Sequence, residues 1–281
     1  MEFRNHQIGY LMKNKNIYTL GINFLHSDSS ACIFENGNLL AAAEEERFTR
    51  IKHTSLFPKQ SILFCLNEAG ILLSNLDYVT VNTNPFSSIH KKLFYLVTNF
   101  SSLKIAFFSL LNSKKKIKLK NLIANIDLNQ TLNAKIKFID HHISHIASST
   151  FFSNFENCVN LSIDGFGDFS SCSWGLYEKN KIKLDKKIYF PHSLGIFYQS
   201  LTQFLGFKSY GDEYKLMGLS PYGKPIYKDK LFNLIYFTDN GFELNLDYFL
   251  HHKEKIFFVN DKGQFEYKNI YSDKIYDLLG D

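Results

Sequence analysis

The sequence predicts an α/β fold of two related halves, each opening on three antiparallel strands and running on into helix and strand, with the second half incomplete. Three observations predict it. Short apolar runs alternate with helical patterns over residues 18–152, the rhythm of strands joined by crossover helices. Asn36-Gly37 falls between two apolar runs, a strong short-range hairpin signal. Residues 161–180 repeat the layout of residues 20–37, and an internal repeat constrains the whole architecture.

Taken in order, residues 18–24 are an apolar run and read as a buried strand, followed by strands at 29–35 and 39–44. Pro58 opens a helix over 59–69, with Ile62, Leu63 and Leu66 on one face and Gly70 as its stop. A strand follows at 78–81. Residues 86–130 are helical, apolar and basic by turns and read as an insertion. The strand at 135–139 delivers a histidine-rich helix over 142–152. Strands at 159–164, 171–178 and 181–189 then form a second three-strand unit, and a helix at 194–205 ends at Gly206. Beyond it the pattern weakens to a hairpin pairing 242–246 with 256–259 and a helix over 269–279.

The repeat is visible residue by residue. Leu20-Gly21-Ile22-Asn23, Asp28-Ser29-Ser30 and Phe34-Glu35-Asn36-Gly37 stand beside Leu161-Ser162-Ile163-Asp164, Asp168-Phe169-Ser170-Ser171 and Tyr177-Glu178-Lys179-Asn180. Two βββαβα units facing each other across a cleft make the ribonuclease-H-like, actin-like ATPase architecture, whose first hairpin turns point backbone amides at nucleotide phosphates. The expected organisation is an extension at 1–16, a first subdomain at 17–155, and a second at 156–281 that lacks the elements mirroring 58–139.

Composition narrows the function classes. With 45% hydrophobic and 21% charged residues the chain is globular. A net charge of +5 is mild, and apart from Lys114, Lys115, Lys116, Lys118 and Lys120 the basic residues form no stripe, so no nucleic-acid partner is expected. Cys32, Cys65, Cys158 and Cys172 form no Cys-x-x-Cys pair and read as buried thiols in a reducing compartment. Residues 93–111 are broken by Thr98, Asn99, Ser101, Ser102 and Lys104, which argues against a membrane span. The polar, basic start carries no secretory signal, and a cytoplasmic location is expected.

The chemistry concentrates in Asp140-His141-His142-Ile143-Ser144-His145. Residues 141 and 145 share one helix face. With Asp164, at the head of an Asp-Gly-x-Gly-Asp turn, the two imidazoles form a divalent metal site with open positions. His142 is out of phase and suits a supporting role. His26-Ser27-Asp28-Ser29-Ser30 ends the first strand with small hydroxyl residues that let amides approach a phosphate. Glu44 to His53 is dense in charge and reads as a solvated edge, with Arg50 and Lys52 as cations for an anionic substrate. Asp212, Glu213 and Lys215 lie in a Gly- and Tyr-rich loop able to orient a hydroxyl substrate, or to form a satisfied ion pair.

As an ordered set these motifs resemble the N-terminal part of the O-carbamoyltransferases of nodulation-factor and antibiotic pathways, relatives of the tRNA threonylcarbamoyladenosine synthases. The landmarks are Leu20-Gly21-Ile22, Glu45-Glu46-Arg47-Phe48-Thr49-Arg50, the 140–145 run, Ile163-Asp164-Gly165, Pro191-His192-Ser193-Leu194-Gly195 and the 215–223 loop. The Lys-x-Met-Gly-Leu-x-Pro-Tyr-Gly string favours the O-carbamoyl branch over tRNA modification.

The resemblance implies that carbamoyl phosphate and ATP give carbamoyl-adenylate in a C-terminal domain that is absent here. The N-terminal part then passes the carbamoyl group to a hydroxyl of a small molecule or sugar. It implies that His141, His145 and Asp164 hold a divalent ion (iron first, then zinc, manganese or magnesium) at the adenylate phosphate. Lys52 matches a family lysine at the acyl end, with His26 and Asp28 as catalytic candidates. One departure stands out: Ser27 separates His26 from Asp28 where the family has a His-Asp pair, and a one-residue offset turns a strand side chain to the other face. The expected alternatives are a subunit working with a separately encoded C-terminal half, an inactive fragment, or a tRNA-modifying relative.

Overall fold

Apolar side chains at every second position build the first layer. β1 (Tyr18–Asn23), β2 (Ser30–Glu35) and β3 (Asn38–Glu44) form an antiparallel meander that turns Leu20, Ile22, Ala31 and Ile33 to one buried face. The chain is seen here as a computed structural model that describes residues 15–24, 26–98, 119–127 and 129–280. A one-turn helix α1 (Glu46–Thr49) leads to α2 (Lys59–Glu68), whose Ile62, Cys65 and Leu66 pack in the core with the buried face of the meander. The chain then returns as β4 (Tyr78–Val81), parallel to β1.

After α3 (Ile89–Thr98) and α4 (Leu119–Ala124) comes β5 (Lys135–Phe138), parallel to β4. The sheet order is β3-β2-β1-β4-β5. The two helices fall within the predicted insertion; residues 99–118 of that insertion, like 1–14 of the predicted N-terminal extension, lie outside the described residues. Among the described residues no helix is long and apolar enough to cross a membrane.

Helix α5 (His141–Thr150) starts three residues past β5 and packs on a second sheet. That sheet is a three-stranded antiparallel meander, β6 (Cys158–Gly167), β7 (Ser170–Glu178) and β8 (Lys181–Tyr189), in the order β6-β7-β8. Its side of α5 is polar: His142 Nδ1 lies 2.8 Å from Ser162 Oγ, and Thr150 donates to Asn160 Oδ1 at 2.7 Å. The opposite face of β6 is open. Leu161 and Ile163 are 62% and 51% exposed, whereas their repeat counterparts Leu20 and Ile22 are 0% and 4% exposed. Among the described residues β6 is hydrogen-bonded to β7 alone, while β1 has a neighbour on both edges.

Helix α6 (Leu194–Phe204) follows, its N-terminus capped by Ser193 Oγ accepting from Ile196 N. The rest differs from expectation. After α7 (Glu213–Leu219) and α8 (Lys228–Leu231), the predicted 242–246/256–259 hairpin is replaced by two local ones. β9 (Ile235–Thr238) pairs with β10 (Gly241–Leu244), and β11 (Phe257–Val259) with β12 (Phe265–Tyr267). Short closures cost less chain entropy, and the Asn260 carboxamide fixes the second turn by accepting from Lys262 N and Gln264 N. The last helix, α9 (Lys274–Leu279), begins later than predicted because Ile270 is in the core and Tyr271 bridges Phe249.

The charged stretch after β3 is not a simple solvated edge. Glu45 is buried and accepts from Gln60 N (3.0 Å), Ser61 N (2.8 Å) and Ser61 Oγ (2.7 Å), so its carboxylate sits on the free amides of α2. Replacing Glu45 with Ala strands those donors and is expected to lower stability by about 3 kcal/mol. Urea unfolding checks this; a loss below about 1 kcal/mol would show that α2 starts without it.

His251 is also buried, donating Nε2–H to Pro191 O at 2.7 Å. Burial depresses its pKa from 6.5 to about 4. The unfolded chain therefore takes up this proton first, and the contribution is lost as pH falls from 6.5 toward 4. Thermal melts across that window should show a smaller acid slope in His251→Phe than in wild type; identical slopes would exclude the residue.

Candidate functional site

The site is assembled at the start of α5. Asp140 is the N-cap, its Oδ1 accepting from His142 N at 3.1 Å and Ile143 N at 3.3 Å. Its Oδ2 takes Lys187 Nζ at 2.6 Å and Ser87 Oγ at 2.7 Å. Burial would raise the Asp140 pKa, but these hydrogen bonds outweigh it and hold the carboxyl below its usual range. Asp168, from the β6–β7 turn, accepts from Thr83 Oγ1 (2.6 Å), Asn84 N (2.7 Å) and His141 N (2.9 Å). One carboxylate thus ties the turn of the second sheet, the segment after β4 and the first residue of α5.

The predicted ligands converge. His141 Nε2 lies 2.7 Å from Asp164 Oδ2, His145 Nε2 lies 3.0 Å from His141 Nε2, and His145 Nε2 lies 3.6 Å from Asp164 Oδ2. Ligand atoms at about 2.1 Å from one ion stand roughly 3.0–3.4 Å apart, so the triangle fits a divalent ion after small adjustment. His141 Nδ1 faces Asn82 O at 3.2 Å. That carbonyl accepts from Nδ1–H, so Nε2 is the nitrogen turned to the cluster, hydrogen-bonded to Asp164 and able to give its lone pair to an ion in place of its proton. Burial pushes the His141 pKa down, yet the hydrogen bond and charge of Asp164 raise it above the usual value. Asp164 is held far below the carboxylate range because its partners His141 and His145 overcome the opposing effect of burial.

Two glycines make this approach physically feasible. A Cβ on Gly167 would fall 1.9 Å from His141 Cδ2, and one on Gly195 would fall 2.6 Å from Gly165 N. Gly195 and the Ser193 hydroxyl, which donates to Asp164 O and Gly165 O, let the start of α6 pack directly on the 164–165 turn. A cavity of about 910 Å³ opens over the other face of the first sheet, with Gly21, Cys32, Thr80, His141 and His145 in its wall. That volume suits a nucleotide-sized ligand.

The remaining candidates separate into groups. The His26 ring lies 5.6 Å from the His141 ring, beside the triad despite the one-residue offset. Asp28 turns instead to His53, a residue the motif reading did not single out, at 2.9 Å from its Nδ1. Ser27 is hydrogen-bonded to Tyr210. Arg50 and Lys52 are exposed, and Lys52 is tied down through its carbonyl, which accepts from Gln264 Nε2. Asp212 is buried and paired with Lys215 Nζ at 2.6 Å, with Ser209 N also donating to it. This is the satisfied ion pair, one helical turn apart, while Glu213 is half-buried. His142 supports α5 through Ser162. The four cysteines are free thiols, and burial pushes Cys65 up to about 12.

Comparison with known proteins bears on most of the chain. The family described as Carbamoyltransferase N-terminus matches residues 18–267. The chain belongs to this family. Among its curated relatives, an uncharacterized protein of Synechocystis sp. is 38% identical over 241 residues, 83% of this chain and 39% of the relative. Nodulation protein NolNO of Sinorhizobium fredii is 34% identical over 229 residues, 81% of this chain and 32% of the relative. This carbamoyltransferase N-terminus therefore spans less than half the length of these relatives. The solved structure of YeaZ from Pseudomonas aeruginosa overlaps 62% of this chain and 68% of its own at 14% identity, with a TM-score of 0.34, too distant to argue from.

Gly167→Ala tests the cluster without replacing any of the three candidate ligand residues. The added methyl must displace the His141 ring, and divalent-metal content after dialysis is expected to fall at least about tenfold. Elemental analysis of folded wild type and variant checks it; equal content would mean that His141 is not a ligand.

Proposed function

We propose that this chain is the carbamoyl-transferring part of an O-carbamoyltransferase, with His141, His145 and Asp164 holding a divalent ion, iron first, at the phosphate of a carbamoyl-adenylate. The observation that carries the reading is the convergence of two imidazoles and a carboxylate, with Nε2 of His141 turned inward, in a chain of the Carbamoyltransferase N-terminus family. The order β3-β2-β1-β4-β5, the α2 crossover and the second meander support a ribonuclease-H-like, actin-type arrangement of two halves.

A carbamoyl group joined to a phosphate is a mixed anhydride open to attack by water. A divalent ion at the triad would offset charge on the phosphate oxygens. The protein does the rest. Asp168 and Asp140 fix where α5 begins and so where both imidazoles point. The cavity beside them gives the nucleotide a groove along the first sheet. Lys52 and Arg50, on the loop before His53, supply cations for the acyl end. The acceptor is a hydroxyl of a small molecule or sugar. The adenylate is made from carbamoyl phosphate and ATP by a C-terminal segment, in the same polypeptide or a partner, and that segment also covers the open face of β6.

A stable sulfamoyl analogue of carbamoyl-adenylate tests the donor site directly. Iron-loaded wild type is expected to bind it, and His141→Ala to lose metal and at least about tenfold in analogue affinity together. Calorimetry with elemental analysis reads both. Equal affinity in the two proteins would overturn the donor reading.

A further inference from the structure

Two loops far apart in sequence meet at one hydrogen bond. Asp28 Oδ1 lies 2.9 Å from His53 Nδ1. Both residues hold positive φ, 61° and 53°, a conformation that costs energy in a non-glycine residue and recurs at functional sites. The loops are locked together around the pair. Ser29 N donates to Thr54 O at 2.9 Å, and Ser55 N donates to Gly263 O at 2.9 Å. The geometry is therefore held from three directions: the residue before β2, the 50–57 loop and the β11–β12 hairpin.

The other side of the ring is kept open. The His53 side chain is 39% exposed, and among the described residues no hydrogen bond takes its Nε2. Gly211 passes directly over that edge: a Cβ there would sit 3.2 Å from both Cε1 and Nε2. The Tyr210 ring stands 5.4 Å from the imidazole, edge to face, and is fixed by Ser27 and by contacts with Phe265 and Tyr267. His26, two residues before Asp28, faces the metal triad. A single short loop thus carries one group to the metal cluster and another to His53.

We propose that His53 is the general base for the acceptor hydroxyl in carbamoyl transfer, with Asp28 as its positioning residue. The inference rests on the donor reading above. Asp28 accepts the Nδ1 proton, so the Nε2 lone pair points outward past Gly211. As the acceptor oxygen attacks the carbamoyl carbon, its proton passes to Nε2. The bond from that carbon to the phosphate oxygen breaks, and its electron pair leaves on the phosphate. The products are a carbamate ester, the nucleotide and an imidazolium facing the Asp28 carboxylate. Tyr210 and Asp212 are ionisable groups near the ring, and Asp212 is already engaged by Lys215.

The test combines a spectroscopic and a kinetic measurement on the same chain. ¹⁵N NMR of wild type should show His53 protonated on Nδ1, and Asp28→Asn should shift the ring toward the Nε2–H form. A tautomer unchanged by Asp28→Asn would overturn the positioning role. With preformed carbamoyl-adenylate, iron and a panel of sugars and polyols, His53→Gln should lower kcat for carbamate ester formation by about 10²–10⁴-fold. Metal content and affinity for the sulfamoyl analogue should stay within twofold of wild type. Retained transfer, or equal loss of transfer and analogue affinity, would overturn the base role. Wild type that binds the analogue but carbamoylates no hydroxyl also overturns it. Wild type that fails to bind the analogue instead overturns the donor reading and the base role with it, and the NMR result still decides whether Asp28 sets the ring.

Discussion

The Asp168 carboxylate is the constraint on which the rest of the site depends. Its three donors come from the segment after β4 and from the first amide of α5, and it reaches them from the turn of the other sheet. A carboxylate at a helix N-terminus is favourable both for the unpaired amide and for the helix dipole. Here it also sets the distance between two layers. Once α5 is seated, the position of His141 follows, and Gly167, one residue before Asp168, leaves space for its ring. The same turn thus supplies the anchor for the helix and the vacancy for its first side chain.

Charge is managed by pairing throughout this region. Asp140 is neutralised by Lys187 and Ser87, Asp164 by the two imidazoles, Asp212 by Lys215, and Glu45 by the start of α2. Asp140, Asp164 and Glu45 meet donors from a different element, whereas the Asp212 pair is local. That pattern raises the cost of misplacing any one element. It also leaves Arg50 and Lys52 as exposed cations on the same loop as His53.

Much of the first half was legible in the sequence because strict alternation and Asn36-Gly37 leave one register. The 78–81 and 181–189 strands fall within the expected bounds. The triad was legible because two of its members are four apart on a helix and the third heads a glycine turn. The hairpins after residue 230 were not, since pairing there is set by local turn closure rather than by hydrophobic period. Glu45 looked like part of a solvated charge run, and only the approach of α2 shows that it is buried. The Asp28–His53 contact was not legible: Asp and His adopt left-handed backbone more readily than most residues, but nothing in the sequence pairs these two. Asp212 and Lys215 satisfy each other in a local ion pair, and spacing alone does not separate such a pair from one that also meets substrate.

Asp164 belongs to β6, the strand whose outer edge and apolar face stand open. That position makes the third ligand sensitive to events on the edge. A strand added beside β6 would stiffen the backbone that carries Asp164, and an ion bound by Asp164 would in turn favour the conformation that accepts the strand. By linkage the two free energies are shared equally. An ion held by the triad would then bind more tightly once that edge is paired, and the pairing would be firmer with the ion bound.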